Sequence, residues 1–248
     1  MTGSGVSNVT ANSTAGALTI SGAGLATVSA TTTGSGAQTI GDIIGGGVNL
    51  VSVMATTAGS GAQTIQSTST SAATVNATAN GGQQIIKTGA GSDTIGVGSS
   101  ASSATINAGA GADSITLGAT HSGVASIVVT PGQPIQTARD TVTNFSMAVS
   151  DTLALGTTTL LNSAQLGGSF TVTTGIATLG GGTLAAFLAA ATTTTTAGAA
   201  AFYDGTSTYF VASDGLASGA FDSVVQLVGI TGATAVGGAA AATMIHIV

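Results

Sequence analysis

The chain has 248 residues, of which only 4% are charged: eight Asp face one Lys and one Arg, and the net charge is −6. So few cations exclude a nucleic-acid partner, since neutralising phosphates takes Lys and Arg. No apolar run approaches the 18 residues of a membrane-crossing helix, and with no Cys there is no disulfide framework.

Globular proteins are ordinarily about a quarter charged. Here the polarity comes from Thr, Ser, Asn and Gln, which suit close-packed neighbours better than bulk solvent. The composition therefore points to assembly. The first residues, Met1 to Thr10, have neither a basic stretch nor an apolar one and do not read as a cleavable signal peptide. Repeat sequence directly after Met1 suggests a piece of a longer protein.

Residues 1–118 carry a beat of hydroxyl–apolar pairs. It runs through Thr19-Ile20, Thr27-Val28, Thr39-Ile40, Ser52-Val53, Thr64-Ile65, Thr74-Val75, Thr94-Ile95, Thr105-Ile106 and Ser114-Ile115, with Gln84-Ile85 as a departure, and Ser126-Ile127 follows. Glycine-rich turns separate the pairs. Thr, Val and Ile favour the pleated conformation, and the glycine density argues against helix. A repeat this short suits one strand and one turn per unit, and two units per coil of about 20 residues. The expected fold is all-β: a parallel β-solenoid or β-roll over 1–118, followed by a β-rich C-terminal cap over 119–248. Stacked pairs Ile20/Ile40, Ile65/Ile85 and Ile95/Ile115 would form its internal ladder.

Four turns share the pattern G-x-G-x-[Q/D]-[T/S]-I. They begin at Gly34, Gly59, Gly89 and Gly109, and their fifth positions are Gln38, Gln63, Asp93 and Asp113. The first two would stack through neutral amide hydrogen bonds. Asp93 and Asp113, one coil apart, would bring two carboxylates together among exposed glycine-turn carbonyls. A hard cation such as Ca2+ needs that oxygen-only set. This divides the solenoid into a neutral stretch, through about residue 87, and a metal-stapled stretch after it.

Beyond residue 118 the rhythm changes, with a break bracketed by Pro131 and Pro134. Short strands are expected around Arg139–Phe145 and Asp151–Leu155, then one helix within 183–201, weakened at its centre by the β-branched run Thr192–Thr196. A hairpin across Asp204-Gly205 follows, then strands after Asp214-Gly215, along Phe221–Ile230 and over Met244–Val248. His121 and His246 stand 125 residues apart with no nucleophile or metalloprotease motif, so no enzyme is read here. Tyr203, Tyr209 and Phe210 read as core or interface, and Lys87 and Arg139 as solvated charges.

The residues Thr88–Gly96 and Ala108–Thr116 resemble the RTX (repeats-in-toxin) nonapeptide G-G-x-G-x-D-x-U-x. Both depart at its first glycine, where Thr88 and Ala108 stand. The resemblance implies calcium between stacked turns, held by Asp93 and Asp113 with carbonyls of Thr88, Gly89, Gly91, Ala108, Gly109 and Gly111. Asp140-x-Val-x-Asn-Phe-x5-Asp151-x-Leu-x-Leu is similar to the segment that closes RTX β-rolls, which makes Asp140 and Asp151 secondary calcium candidates. The stretch Phe202–Ile230 resembles tails of proteins exported by type I secretion. With the composition, this is most similar to RTX-type surface-layer (S-layer) proteins of Gram-negative bacteria. It implies a secreted, calcium-dependent structural subunit whose partners are further copies of itself, the type I secretion machinery and, as an anchor, cell-surface polysaccharide. The alternative is the calcium-binding carrier domain of an RTX hydrolase, toxin or adhesin.

Overall fold

Along each strand of the first half, a β-branched or small apolar residue alternates with a hydroxyl or amide. That period of two sends one set inward and the other to solvent. The structure, a computed structural model, describes residues 8–22, 25–41, 50–130, 139–155, 160–162, 164–166, 171–173, 176–178, 183–216, 223–230, 236–238 and 244–247. Two compact units divide the chain, residues 1–126 and 127–248.

The first unit is a parallel β-solenoid in which each coil supplies one strand to each of two sheets. One sheet holds, in order, β1 (Asn8–Ser13), β3 (Thr27–Thr32), β5 (Ser52–Thr57), β7 (Thr74–Ala79), β9 (Thr94–Val97) and β11 (Ser114–Thr116). The other holds β2 (Leu18–Ile20), β4 (Gln38–Gly41), β6 (Gln63–Gln66), β8 (Gln83–Lys87) and β10 (Ser103–Asn107), with β12 (Val124–Val128) following at the boundary between the units. All neighbours within the first unit are parallel and in continuous register.

That register stacks like on like. Val28, Val53, Val75, Ile95 and Ile115 form one buried column, and Ile20, Ile40, Ile65, Ile86 and Ile106 form the facing one. Each such side chain contributes about 1.5–3 kcal/mol by leaving water. Ile86, not Ile85, stacks on Ile65, which corrects the expected pairing. Ile85 lies beside Thr64 and is 40% exposed. Coil length also varies: corresponding glutamines stand 25 and then 21 residues apart, and the aspartates 20.

Among its described residues the second unit is β-rich with one helix. β13 (Asp140–Thr143) pairs in parallel with β19 (Ser223–Val228), which is followed in the sheet by β18 (Ser207–Asp214), β17 (Ala197–Tyr203), β16 (Ile176–Thr178) and β15 (Thr171–Thr173). β14 (Thr152–Ala154) pairs antiparallel with β21 (Met244–Ile247), which pairs with β20 (Val236–Gly238). The expected hairpin is β17–β18, closing at Tyr203 and Thr208. The helix α1 (Leu184–Thr193) is shorter than 183–201. It starts where Thr183 Oγ1 accepts from Ala186 N, and it ends in the β-branched run, where Thr194 is extended. Phe187 stacks on Phe202, ring centroids 5.1 Å apart, in a core with Leu161, Leu166, Tyr209, Val211 and Val224. Pro131 and Pro134, and Phe221 with Asp222, lie outside the described residues.

Candidate metal centre

A solenoid coil made of two strands turns twice, once at each edge. The four G-x-G-x-[Q/D] turns, alike in sequence, fall on both edges. The Gln38 and Gln63 turns lead into β4 and β6, whereas the Asp93 and Asp113 turns lead into β9 and β11 of the other sheet. Gln and Asp are therefore not successive members of one column. The division is between two edges, not between an early and a late stretch.

On the glutamine edge, buried Gln63 donates from Nε2 to Gln38 Oε1 at 2.9 Å, and Gln84 Nε2 donates to Gln63 Oε1 at 2.7 Å. Gln38 Nε2 ends the ladder on Thr32 Oγ1 and Thr56 O, at 3.0 and 2.9 Å. Gln84 is the rung that the sequence pattern missed. Gln84-Ile85-Ile86 aligns with Gln63-Thr64-Ile65, so the signal lay in the doubled isoleucine. The next position of the column is Ala104, which offers no donor, and Gln84 Oε1 has no hydrogen-bond partner.

On the aspartate edge, Asp93 and Asp113 are both fully buried, and the pairing of Ser114 with Thr94 sets them in adjacent coils. Each carboxylate reaches back one coil to a backbone amide. Asp93 Oδ1 accepts from Ala73 N at 2.7 Å, and Asp113 Oδ1 accepts from Asp93 N at 2.8 Å. Ala73 occupies the equivalent place in the preceding coil. There Ser67 and Ser69 hydroxyls cap the turn instead, accepting from Ser69 N and Ser71 N.

The remaining turn residues stack in the same way. Thr88, buried, donates from Oγ1 to Ala108 O at 2.7 Å, and Ala110 N donates to Gly89 O at 3.1 Å. Backbones approach so closely that a Cβ at Gly109 would collide with Gly89 O, and one at Gly111 with Gly91 O. Both glycines also have positive φ, +90° and +144°, which side chains disfavour. All eight expected turn residues thus lie in two contacting layers.

Whether this edge suits a hard cation depends on its free oxygens. Asp93 Oδ2 is buried and has no hydrogen-bond partner. Such an oxygen is costly to leave uncompensated. The surrounding donors are carboxylate and peptide oxygens, which suit Ca2+. Among the described residues no three His, Cys, Asp or Glu side chains gather as a metal cluster, so carbonyls would have to complete the shell. The donor chemistry fits.

Asp140 and Asp151 belong to the second unit. Asp140 is buried at the start of β13. Asp151, fully buried, clamps its own loop: Oδ2 accepts from Ser146 N at 2.7 Å, while Asp151 N donates to Ser146 O at 3.1 Å. Asn144 precedes this loop and Ser150 lies within it, with φ of 63° and 65°. Arg139 is not simply solvated, since its guanidinium lies over the Tyr209 ring, 5.6 Å from the centroid.

The hairpin tip is a separate polar cluster. Asp204 Oδ1 accepts from Thr206 N, Thr206 Oγ1 and Ser207 N at 2.8–2.9 Å. Desolvation is the largest single influence on its carboxyl and acts upward. The Thr206 and Ser207 amides, with the Thr206 and Tyr209 hydroxyls, together outweigh it and hold the pKa at about 2. Tyr209 is pushed up, first by burial and then by Asp204, against an opposing pull from Arg139. His121 Nδ1 lies 2.8 Å from Gly118 O in its own turn.

The class defined by this architecture is a parallel β-solenoid joined to a β-rich unit. Compared with known protein families and with curated proteins, the chain matches none. No helix among the described residues is long and apolar enough to cross a membrane.

Proposed function

We propose that this chain is a structural subunit whose solenoid is stapled by Ca2+ at the Asp93/Asp113 edge, exported by type I secretion and assembled into a bacterial surface layer. The observation that carries the reading is Asp93 Oδ2, a buried carboxylate oxygen without a hydrogen bond, set among glycine turns. Bound Ca2+ would supply positive charge between two carboxylates in adjacent coils. The chain's own part is to hold those carboxylates in place through the Ala73 and Asp93 amides, and to bring the turn backbones close through Gly89, Gly91, Gly109 and Gly111. Carbonyls of these turns, with those of Thr88 and Ala108, are the further donors. Asp140 and Asp151 are assigned a secondary calcium role. Scarcity of charge, 4% of residues, supports assembly over life as a dispersed monomer.

Coupling of metal to folding then gives the mechanism: little structure at low calcium inside the cell, and a closed solenoid at the higher calcium outside. Cell-surface polysaccharide is the proposed anchor. The test is a calcium titration followed by circular dichroism and electron microscopy, on the native chain and on Asp93→Asn. Asn keeps an oxygen for Ala73 N but removes the charge. The native chain is expected to gain β signal with Ca2+, lose it with chelator and form ordered sheets, and the variant to need about tenfold more Ca2+. Indifference to Ca2+ would refute the staple, and folding without ordered sheets would refute the surface layer.

A further inference from the structure

The run Thr192–Thr196 belongs neither to the solenoid nor to its aspartate edge. It ends α1, where Thr194 is extended, and the chain then enters β17 at Ala197. Thr193, Thr194, Thr195 and Thr196 line an open cleft of about 430 Å³ in the second unit, and Asn162, Ala164 and Gln165 complete the lining.

Both segments are anchored. Leu161 and Leu166 sit in the core with Phe187, and Leu166 N donates to Asn162 O at 3.2 Å. Within that loop Asn162 and Gln165 cap each other: Asn162 N donates to Gln165 Oε1 at 2.7 Å, and Gln165 N donates to Asn162 Oδ1 at 3.1 Å. Each side-chain carbonyl is thus taken up by the loop's own backbone, which fixes the amide. Their nitrogens, Asn162 Nδ2 and Gln165 Nε2, donate to no group among the described residues. In the threonine segment, Thr193 Oγ1 donates back to Ala189 O and Ala190 O, both at 3.1 Å, and Thr194 Oγ1 accepts from Thr196 N at 3.3 Å. The hydroxyls of Thr195 and Thr196 have no partner among the described residues.

A cleft lined by two amides, four hydroxyls and one alanine, with no charge, selects by hydrogen bonding. An ion would find no counter-charge there, and an apolar ligand would strand the amide donors. A sugar fits, because each of its hydroxyls both donates and accepts. It can take the amide N–H groups and pair either way with the threonines. A protein partner suits it less, since such interfaces centre on apolar groups and this lining offers Ala164 alone as an apolar side chain.

We propose that this cleft binds a neutral sugar unit of a polysaccharide, held by Asn162 Nδ2, Gln165 Nε2 and the hydroxyls of Thr195 and Thr196. The inference rests on the anchor part of the reading above, to which it gives a place, and not on the calcium part. The volume is in the range of small-molecule pockets. An open cleft with no aromatic side chain in its lining should hold one sugar weakly, with a Kd on the order of 1 mM. Many copies in a layer, on a repeating polysaccharide, would multiply that.

Saturation-transfer NMR on the full chain in millimolar Ca2+ tests the proposal, with maltotriose, cellotriose and mannotriose as neutral probes at up to about 10 mM. Circular dichroism confirms folding. At least one probe is expected to bind the native chain. The double variant Thr195→Val/Thr196→Val keeps side-chain shape and breaks no side-chain bond of the fold, and it should raise the Kd about tenfold. Gln165→Met removes one amide donor and should raise it about three- to tenfold. That change also removes the cap on Asn162 N, so the threonine variant decides if the loop is disturbed. Gln83→Met, on exposed solenoid strand β8, should leave binding unaltered.

If no neutral probe binds, or if the folded threonine variant stays within about twofold of the native Kd, the proposal is overturned. In the second case the sugar sits elsewhere and the polysaccharide anchor stands. Ordered sheets that form with Ca2+ while no probe binds would remove the cleft and leave the layer. Binding that is lost in the variants, by a chain indifferent to Ca2+, would uphold the cleft and remove only the staple.

Discussion

Removing the middle rung of the glutamine ladder, by Gln63→Ala, isolates what the buried amides contribute. The substitution takes away both side-chain bonds that Gln63 makes along the column and orphans Gln38 Oε1 and Gln84 Nε2 inside the solenoid. Each orphaned buried group costs about 1–3 kcal/mol. The space left by the shortened side chain adds about 1 kcal/mol more after partial collapse. Allowing for rearrangement of the neighbouring amides, a loss of about 3–4 kcal/mol is expected. Gln83→Ala serves as control, because Gln83 is the exposed neighbour on β8 and its loss should cost less than about 0.5 kcal/mol. Urea unfolding followed by circular dichroism, at fixed calcium, measures both. A loss below about 1 kcal/mol for Gln63→Ala, or equal losses for the two, would show that the ladder is not the stabilising element argued here.

Two further outcomes follow from particular residues. Ile86→Ala should cost about 3 kcal/mol and Ile85→Ser almost nothing by the same unfolding assay, since only Ile86 is in the internal column; the opposite order would place the register one residue off. Asp204 has a folded pKa of about 2 against 3.8 when unfolded, so its contribution is present above pH 3.8 and lost as pH falls through about 2. At this exposed hairpin tip, screening limits it to about 1 kcal/mol or less. Asp204→Asn should therefore lower stability slightly at neutral pH and flatten its decline between about pH 4 and 2. A decline as steep as that of the native chain would show that another carboxylate is responsible.

Much of the solenoid was legible because its information is local. A strand with a buried face must alternate, a sharp corner needs Gly, and one short period repeated many times leaves little else that can bury its apolar side. The Asp204-Gly205 hairpin was readable for the same reason, resting on the chemistry of a few neighbouring residues, whereas the helix, expected within 183–201 with the Thr192–Thr196 run at its centre, in fact ends in that run.

Where inference from the chain alone stopped was at the edges and the register. Gln-Ile-Ile in place of Gln-Thr-Ile allows either isoleucine to point inward, and only the neighbouring coils choose Ile86 by aligning Gln84 with Gln63. The glutamine and aspartate turns look like one series, but Gln38 and Gln63 are one 25-residue coil apart and Asp93 and Asp113 one 20-residue coil apart. Between Gln63 and Asp93 lies a coil and a half. With coil lengths that vary by several residues, that half-turn is invisible until the strands are assigned to sheets. The amino-acid sequence by itself determined that the chain would coil, that Val and Ile would line the coil everywhere except at the Ile85-Ile86 pair, and that two aspartates would stack. Tertiary structure alone decided on which edge they stack and which backbone amides they cap, because those depend on how many times the chain has turned rather than on what its neighbours are.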